Sequence, residues 1–450
     1  MSNNFVTSVQ TTALKKAINY LNKDYQKALP KMLGMVDRFD TNNAFASQRA
    51  MFRSIIQNPK SNWYKLIENI WDDIDEGIRK TFFENFFIKA TVIGHQRHKE
   101  LQEKHNCNMP WTILLDPTSA CNLKCVGCWA ADYGNKLSLG YETINSIIEQ
   151  GKSLGTYMFI YSGGEPLIRK KDIIRLCEAH PDCMFLAFTN GTLIDEEFAA
   201  DMLRVKNFVP AISIEGFEEA TDSRRGQGTY QKVVAAMNVL RQNKLGFGVS
   251  CCYTSQNTED IGSEAFFDKM IELGAKFAWF FTYIPVGVDA SPELIATAQQ
   301  REFMYQQVRK FRKTKPLFTM DFWNDGEYVN GCIAGGRCYL HINANGDIEP
   351  CAFIHYSDSN IYHNTILQAL QAPMFMQYRA HQPFNSNLLM PCPLLDNPQA
   401  LASMVHNTNA HSTDLAKNED VDSLCAKCQA PAAAWRPIAD RIWQSSQNKL

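Results

Sequence analysis

The chain has 450 residues, 45% of them hydrophobic and 20% charged, with a net charge of -2 and a sequence pI near 6.6. That balance suits a globular protein of two or three domains and excludes a strongly basic overall surface of the kind that binds nucleic acid. No run approaches the roughly eighteen apolar residues of a membrane span, and the opening Met-Ser-Asn-Asn-Phe-Val-Thr-Ser has no secretory pattern. The expectation is a cytoplasmic protein without a transmembrane segment, whose fourteen cysteines are metal ligands or buried packing rather than disulfides.

Residues 1–108 read as a helical N-terminal region, with apolar positions at helical intervals. Ile74, Ile78, Phe82, Phe83, Phe86, Phe87, Ala90 and Ile93 recur three or four apart and make one broad aromatic face on a helix. Such a face most simply packs onto the following domain. A hydrophobic substrate groove, a partner surface and a peripheral membrane contact are the competing readings.

From residue 109 to 315 short apolar β-prone runs alternate with amphipathic helical stretches. Strands are expected at Trp111–Leu115, Tyr157–Tyr161, Met184–Thr189, Val209–Ile214, Phe247–Tyr253 and Phe277–Thr282. Asp195 and Ser263 suit helix N-caps, while Gly155 and Gly274 suit left-handed stops. Apolar strands separated by helices imply a parallel sheet with right-handed crossovers, hence an α/β fold with a partial (β/α)6 TIM-like barrel. Chemistry in such barrels gathers at the C-terminal ends of the strands.

Four conspicuous segments fall at those ends. Cys121, Cys125 and Cys128 follow the first strand in a three-then-two spacing. Three thiolates so placed select a soft or iron–sulfur site, and a cubane held by three of them keeps one iron open. A structural zinc site or cysteines lining a core are the alternatives on spacing alone. Tyr161-Ser-Gly-Gly-Glu-Pro166 follows the second strand, Thr189-Asn-Gly191 the third, and Ser213-Ile-Glu-Gly216 the fourth.

Together these segments resemble the radical S-adenosylmethionine (radical SAM) superfamily, over roughly residues 110 to 285. The resemblance implies a [4Fe-4S] cluster on Cys121, Cys125 and Cys128, with S-adenosylmethionine on the open iron. One electron delivered to the sulfonium then gives methionine and a 5′-deoxyadenosyl radical that abstracts a substrate hydrogen. It also implies cofactor contacts from Gly163, Gly164, Glu165 and Pro166. The glycines would let backbone approach the methionine moiety, with Glu165 near its ammonium. Asn190, Ser213 and Glu215 can hydrogen-bond the ribose or carboxylate, and Arg224 or Arg225 can fork onto the carboxylate. Many family members carry an aromatic residue just before the third cysteine. Here that position is Gly127 and Trp129 follows, so either Trp129 stacks on the adenine or backbone alone holds it.

Residues 316–450 form the cysteine-rich C-terminal part, with Cys332, Cys338, Cys351, Cys392, Cys425 and Cys428. The segment from Cys338 to Cys351 reads as a β-hairpin turning at Asn345-Gly346 and bringing its two cysteines near each other. It resembles the SPASM-type extension that binds auxiliary iron–sulfur clusters, which makes all six cysteines candidate ligands of at least one such cluster. A zinc site at Cys425-Ala-Lys-Cys428 is the alternative. Cys107, Cys177, Cys183, Cys251 and Cys252 read as inert packing.

The resulting expectation is an enzyme, an oxidoreductase or a C–C or C–S bond-forming catalyst. It would take electrons from a flavodoxin- or ferredoxin-type donor and act on a small molecule, a peptide or a lipid, not on nucleic acid. The rival is a non-catalytic zinc- or cluster-stabilised binding protein.

Overall fold

The computed structural model describes residues 25–39 and 46–447. The helical character expected of residues 1–24 and 40–45 lies outside them. Helices α1 (Tyr25–Phe39), α2 (Ala46–Gln57) and α3 (Asn62–Asp73) lead into α4 (Glu76–Phe82). The Asp75 carboxylate opens α4 by accepting from Gly77 N at 2.8 Å and Ile78 N at 3.1 Å. This cap satisfies donors that the first turn leaves free, and it separates Ile74 from the aromatic face expected on one helix.

Beyond α4 the chain continues as a π-helix, Phe83–Ile93, and then as α5 (Gly94–His105). The wider turn shows at Thr91, whose hydroxyl donates to the Phe86 carbonyl at 2.9 Å. Phe82 and Phe86 stack with centroids 4.9 Å apart, and Phe86 meets Trp111 edge-on at 5.4 Å. The buried Asn85 amide donates to the Pro181 and Cys183 carbonyls, both at 2.9 Å. The aromatic face thus covers the foot of the barrel, where strands begin.

The main sheet contains β1 (Thr112–Leu115), β2 (Met158–Tyr161), β3 (Met184–Thr189), β4 (Phe208–Ser213), β5 (Gly248–Tyr253), β6 (Phe277–Thr282), β7 (Phe318–Asp321), β8 (Tyr339–Ile342) and β9 (Ile348–Glu349). Their order is β7-β6-β5-β4-β3-β2-β1-β8-β9. All neighbours are parallel except β8 and β9, which form an antiparallel hairpin with His341 opposite Glu349. The six expected strands are present, and the sheet continues past residue 315 on both edges. β7 joins beyond β6, and β8 pairs with β1, Thr112 opposite Tyr339.

Helices α6 (Tyr141–Leu154), α7 (Lys170–Ala179), α8 (Glu196–Val205), α9 (Glu218–Arg225), α10 (Thr229–Gln242), α11 (Glu264–Leu273) and α12 (Ala298–Thr314) connect the strands up to β7. Asp195 accepts from Phe198 N at 2.8 Å and Ser263 from Phe266 N at 3.1 Å, so both expected caps form. Gly155 and Gly274 end α6 and α11 at φ of +94° and +101°.

Alternation along the strands divides the core into two layers. Ile113, Phe159, Phe185, Ile212, Val249 and Phe280 pack outward under the helices. Leu114, Ile160, Leu186 and Ala211 face the lumen with the half-buried Phe188, Trp279 and Phe281. Each fully buried Phe of the outer layer contributes about 1.5–3 kcal/mol by leaving water. A last helix, α13 (Val421–Gln447), carries Cys425 and Cys428 in its first turns.

Candidate functional site

The loop after β1 is fixed by its neighbours at three places. Gly164 N donates to the Thr118 carbonyl at 3.0 Å and Glu165 N to the Ala120 carbonyl at 2.8 Å. The Asn190 amide donates to Asn122 Oδ1 at 2.8 Å, and Val126 N donates to the Arg224 carbonyl at 2.9 Å. Three segments singled out in the sequence therefore converge on the loop that carries Cys121, Cys125 and Cys128.

Gly163 and Gly164 are required by this convergence. A Cβ on Gly163, at φ +100°, would lie 2.6 Å from the Thr118 carbonyl oxygen, and one on Gly164 would lie 2.2 Å from that of Ala120. Their freedom from side chains serves turn-to-loop packing. Glu165 is buried and caps the 3-10 turn Pro166–Arg169 by accepting from Leu167 N at 2.9 Å. It also accepts from the Thr189 hydroxyl and Asn190 N, each at 2.7 Å. Burial raises its pKa, against the lowering effect of those donors.

Glu215 is fully buried and draws both arginines of α9 to itself. Its Oε1 stands 2.6 Å from Arg224 Nη1 and 2.5 Å from Arg225 Nη2, while Cys252 N donates to Oε2 at 3.1 Å. Burial would raise this carboxyl, but the two guanidiniums outweigh it and hold its pKa below the ordinary value. Arg225 Nη1 also lies 4.0 Å from Cys125 Sγ. Burial raises the Cys128 thiol, and the two guanidiniums act against that rise. Burial also pushes Cys121 up to about 11. Ser213 closes β4 opposite Ser250, on the lumen side with Ala211.

Gly127 takes φ +65°, and a Cβ there would lie 2.6 Å from the Tyr283 ring. Tyr283 fills the space that a side chain at 127 would need. Trp129 turns toward the C-terminal part, with its ring 5.8 Å from His341, 5.7 Å from Phe353 and 6.1 Å from His355.

One residue read as inert packing is placed in the site. Cys251 belongs to the outer core, whereas Cys252, next along β5, shares its environment with Arg224, Glu215, Arg225 and Cys128. Burial raises its thiol to about 11. The period of two along a strand separates the neighbouring cysteines.

In the C-terminal part Cys332, Cys351 and Cys392 line one apolar cavity with Tyr339, Trp323 and Tyr378. The Tyr339 hydroxyl lies 2.8 Å from Cys351 Sγ, and Leu395 N donates to Cys392 Sγ at 3.3 Å. Cys425 and Cys428 approach Cys392 from α13. Burial pushes Cys332 and Cys425 up to about 12 and Cys392 to about 11. Cys338 stands apart from this group. Continued by two residues, the β8–β9 register sets Cys351 opposite Tyr339, so Cys338 points to the other face of the hairpin.

Among the described residues no three His, Cys, Asp or Glu side chains close to the spacing that a single metal ion demands. The donors that gather in both places are cysteine sulfurs, the usual ligands of iron–sulfur clusters. No helix among the described residues is long and apolar enough to cross a membrane.

Residues 115–263 match the profile of the Radical SAM superfamily. The chain is 28% identical over 232 residues to Fe-coproporphyrin III synthase of Methanosarcina barkeri, covering 48% of this chain and 57% of that protein. It is 24% identical over 283 residues to AdoMet-dependent heme synthase of the same organism, covering 56% and 80%. Cysteine-type anaerobic sulfatase-maturating enzyme of Clostridium perfringens is 25% identical over 289 residues, covering 54% and 75%. The chain thus spans little more than half of the first relative. Among solved structures, Streptococcus suis SuiB bound to precursor peptide SuiA matches with TM-score 0.56 and 19% identity, covering 76% of this chain and 81% of SuiB. That likeness is one of fold.

Proposed function

From a chain that carries a radical SAM domain over residues 115–263, we propose an enzyme that reductively cleaves S-adenosylmethionine and uses the resulting radical to remove a hydrogen atom from an apolar substrate. The domain's cofactors are a [4Fe-4S] cluster and S-adenosylmethionine. We assign the cluster to Cys121, Cys125 and Cys128 within a radical SAM unit of residues 109–315. When bound, it supplies the electron that splits the sulfonium.

The chain's own residues orient and insulate that chemistry. Asn190 and Gly164–Glu165 hold the loop, Arg224 and Arg225 with Glu215 set the field beside it, and Ser213 offers a hydroxyl at the lumen rim. An auxiliary cluster in residues 316–450 falls to Cys332, Cys351 and Cys392, with the fourth thiolate from the Cys425–Cys428 turn. The electron comes from a flavodoxin- or ferredoxin-type protein.

The single observation that carries the reading is the convergence of the Gly-Gly-Glu turn on the backbone leading to Cys121. The substrate class follows from the lumen wall, where Leu114, Ile160, Leu186, Phe188, Trp279 and Phe281 present no charge. Such a wall accepts a flat ring or a hydrocarbon more readily than a charged peptide side chain. Relatives named for porphyrin and heme synthesis agree with that preference, while the sulfatase-maturating relative keeps a peptide as the second reading.

The test is anaerobic reconstitution followed by S-adenosylmethionine and dithionite. Methionine and 5′-deoxyadenosine should appear, and the C125A chain should release neither. Release of neither product by a wild-type chain loaded with iron and sulfide would overturn the reading.

A further inference from the structure

A buried ionic cluster lies between the two cysteine regions. His341, on β8, is wholly inaccessible, with Nδ1 2.6 Å from Glu349 Oε2 and Nε2 3.0 Å from Asp116 Oδ2. The second contact is a close ion pair rather than an aligned hydrogen bond. Burial alone would lower the imidazole pKa, but the carboxylates raise it to about 10, so the ring is a cation at neutral pH.

Each carboxylate has a second attachment. Asp116 immediately follows β1, five residues before Cys121, and its Oδ1 accepts from the Ser162 hydroxyl at 2.7 Å, at the start of the glycine turn. Glu349 accepts from the Tyr133 hydroxyl at 2.8 Å, from the Asn343 amide at 3.0 Å and from the Thr413 hydroxyl at 2.5 Å. Tyr133 comes five residues after Cys128, and Glu349 two residues before Cys351. One imidazolium therefore grips the residue that leads into the cysteine loop and, through Glu349, the residue that leads out of it. The base of the loop is also closed directly, with Ser119 N donating to the Leu137 carbonyl at 2.9 Å and Leu139 N to that of Pro117 at 3.1 Å, so His341 adds a second closure, the one that reaches the C-terminal hairpin.

We propose that His341 is a positioning residue for the reaction: it fixes both ends of the Cys121–Cys128 loop against the C-terminal hairpin. The docking of β8 and β9 then tightens the mutual placement of the loop's sulfurs beyond what the barrel contacts give. Three ligands of one group need placement within about half an ångström, which a loop of this length does not provide by itself. The proposal rests on reading this loop as the cluster-binding one, but it concerns the protein without cluster and is tested there.

The test is pulse alkylation of the full-length, metal-free, reduced chain with iodoacetamide, with each cysteine followed by mass spectrometry. H341Q sets an amide oxygen against one of the two carboxylates. Cys125 and Cys128, half-buried in the native loop, should then react roughly tenfold faster or more, as expected when a buried pair is broken locally. Cys177 and Cys251, in the outer core, should keep wild-type rates. Adding D116N supplies an N–H to that oxygen and should return most of the protection, a rescue that general loosening would not show. Should H341Q fail to fold, D116N alone decides, with faster labelling of Cys125 and Cys128 and an unchanged Cys392 as the supporting result. Wild-type labelling at these two loop thiols, or no rescue in the double variant, overturns the proposal. Absence of 5′-deoxyadenosine from the loaded wild-type chain would sink the cluster reading and leave this labelling result standing.

Discussion

The carbonyl oxygen of Ala120 sits 2.2 Å from the point where Gly164 would carry a methyl group. The turn after β2 and the loop after β1 are thus in backbone contact, and the cysteine loop takes its position from a strand end it does not belong to.

Substituting Gly164 with alanine should push the two segments apart. Overpacking of this kind costs typically 1–3 kcal/mol, and a misplacement near 1 Å at a reacting centre costs about a hundredfold in rate. The G164A chain should fold, bind less iron at the loop, and release 5′-deoxyadenosine about a hundred times more slowly. Iron analysis and a timed product assay check both parts.

Glu215 neutralises part of a buried pair of guanidiniums. E215L leaves Arg224 and Arg225 without their carboxylate, so the chain should lose roughly 3–5 kcal/mol, the usual cost of stripping one partner from a buried ion pair. A lowered urea midpoint with an unchanged slope is the expected record. An unaltered midpoint would show that water or the thiols already compensate the two cations.

The C-terminal cysteines should separate into two sets on mutation. C332A, C351A and C392A each remove a sulfur from the shared cavity and should abolish the auxiliary iron signal while retaining that of the loop cluster. C338A should retain both, because that side chain faces away from the cavity. Iron per chain and low-temperature electron paramagnetic resonance distinguish these outcomes.

His98, on α5, is buried, and burial lowers its pKa to about 4, with His95 adding to the fall and a hydrogen bond to the Gly155 backbone opposing it. The folded value lies below the unfolded value of 6.5, so on acidification the unfolded chain takes the proton first. The stabilisation is complete above pH 6.5 and lost as pH falls toward 4. It amounts to roughly 3 kcal/mol, since each unit is worth about 1.4 kcal/mol. H98L should remove that part of the acid sensitivity, seen as a smaller drop in urea midpoint between pH 7 and pH 4.5.

Six strands were legible because each is a short run that is apolar on both faces and bounded by polar turns. The β8–β9 hairpin was legible from its Asn345-Gly346 turn, but its place beside β1 was not, since that pairing joins residues more than two hundred positions apart. The cysteine loop and the Gly-Gly-Glu-Pro turn were legible as local patterns. The partners of Arg224 and Arg225 were not, because a sequence does not say that Glu215 is buried and takes them before any ligand can. Cys252 could have been placed, because alternation on β5 turns it inward if Cys251 faces out. The role of Cys338 went the other way, since a hairpin brings its flanking residues close in backbone but sends neighbours to opposite faces.

The pairing of β1 with β8 also bears on biosynthesis. β1 emerges early from the ribosome, but the strand that covers its second edge, Tyr339–Ile342, emerges far later. In the interval a bare row of backbone donors and acceptors is on display, the sort of template that recruits foreign strands. A translation product cut short of Tyr339 would keep that adhesive border permanently, right beside three thiols open to air oxidation.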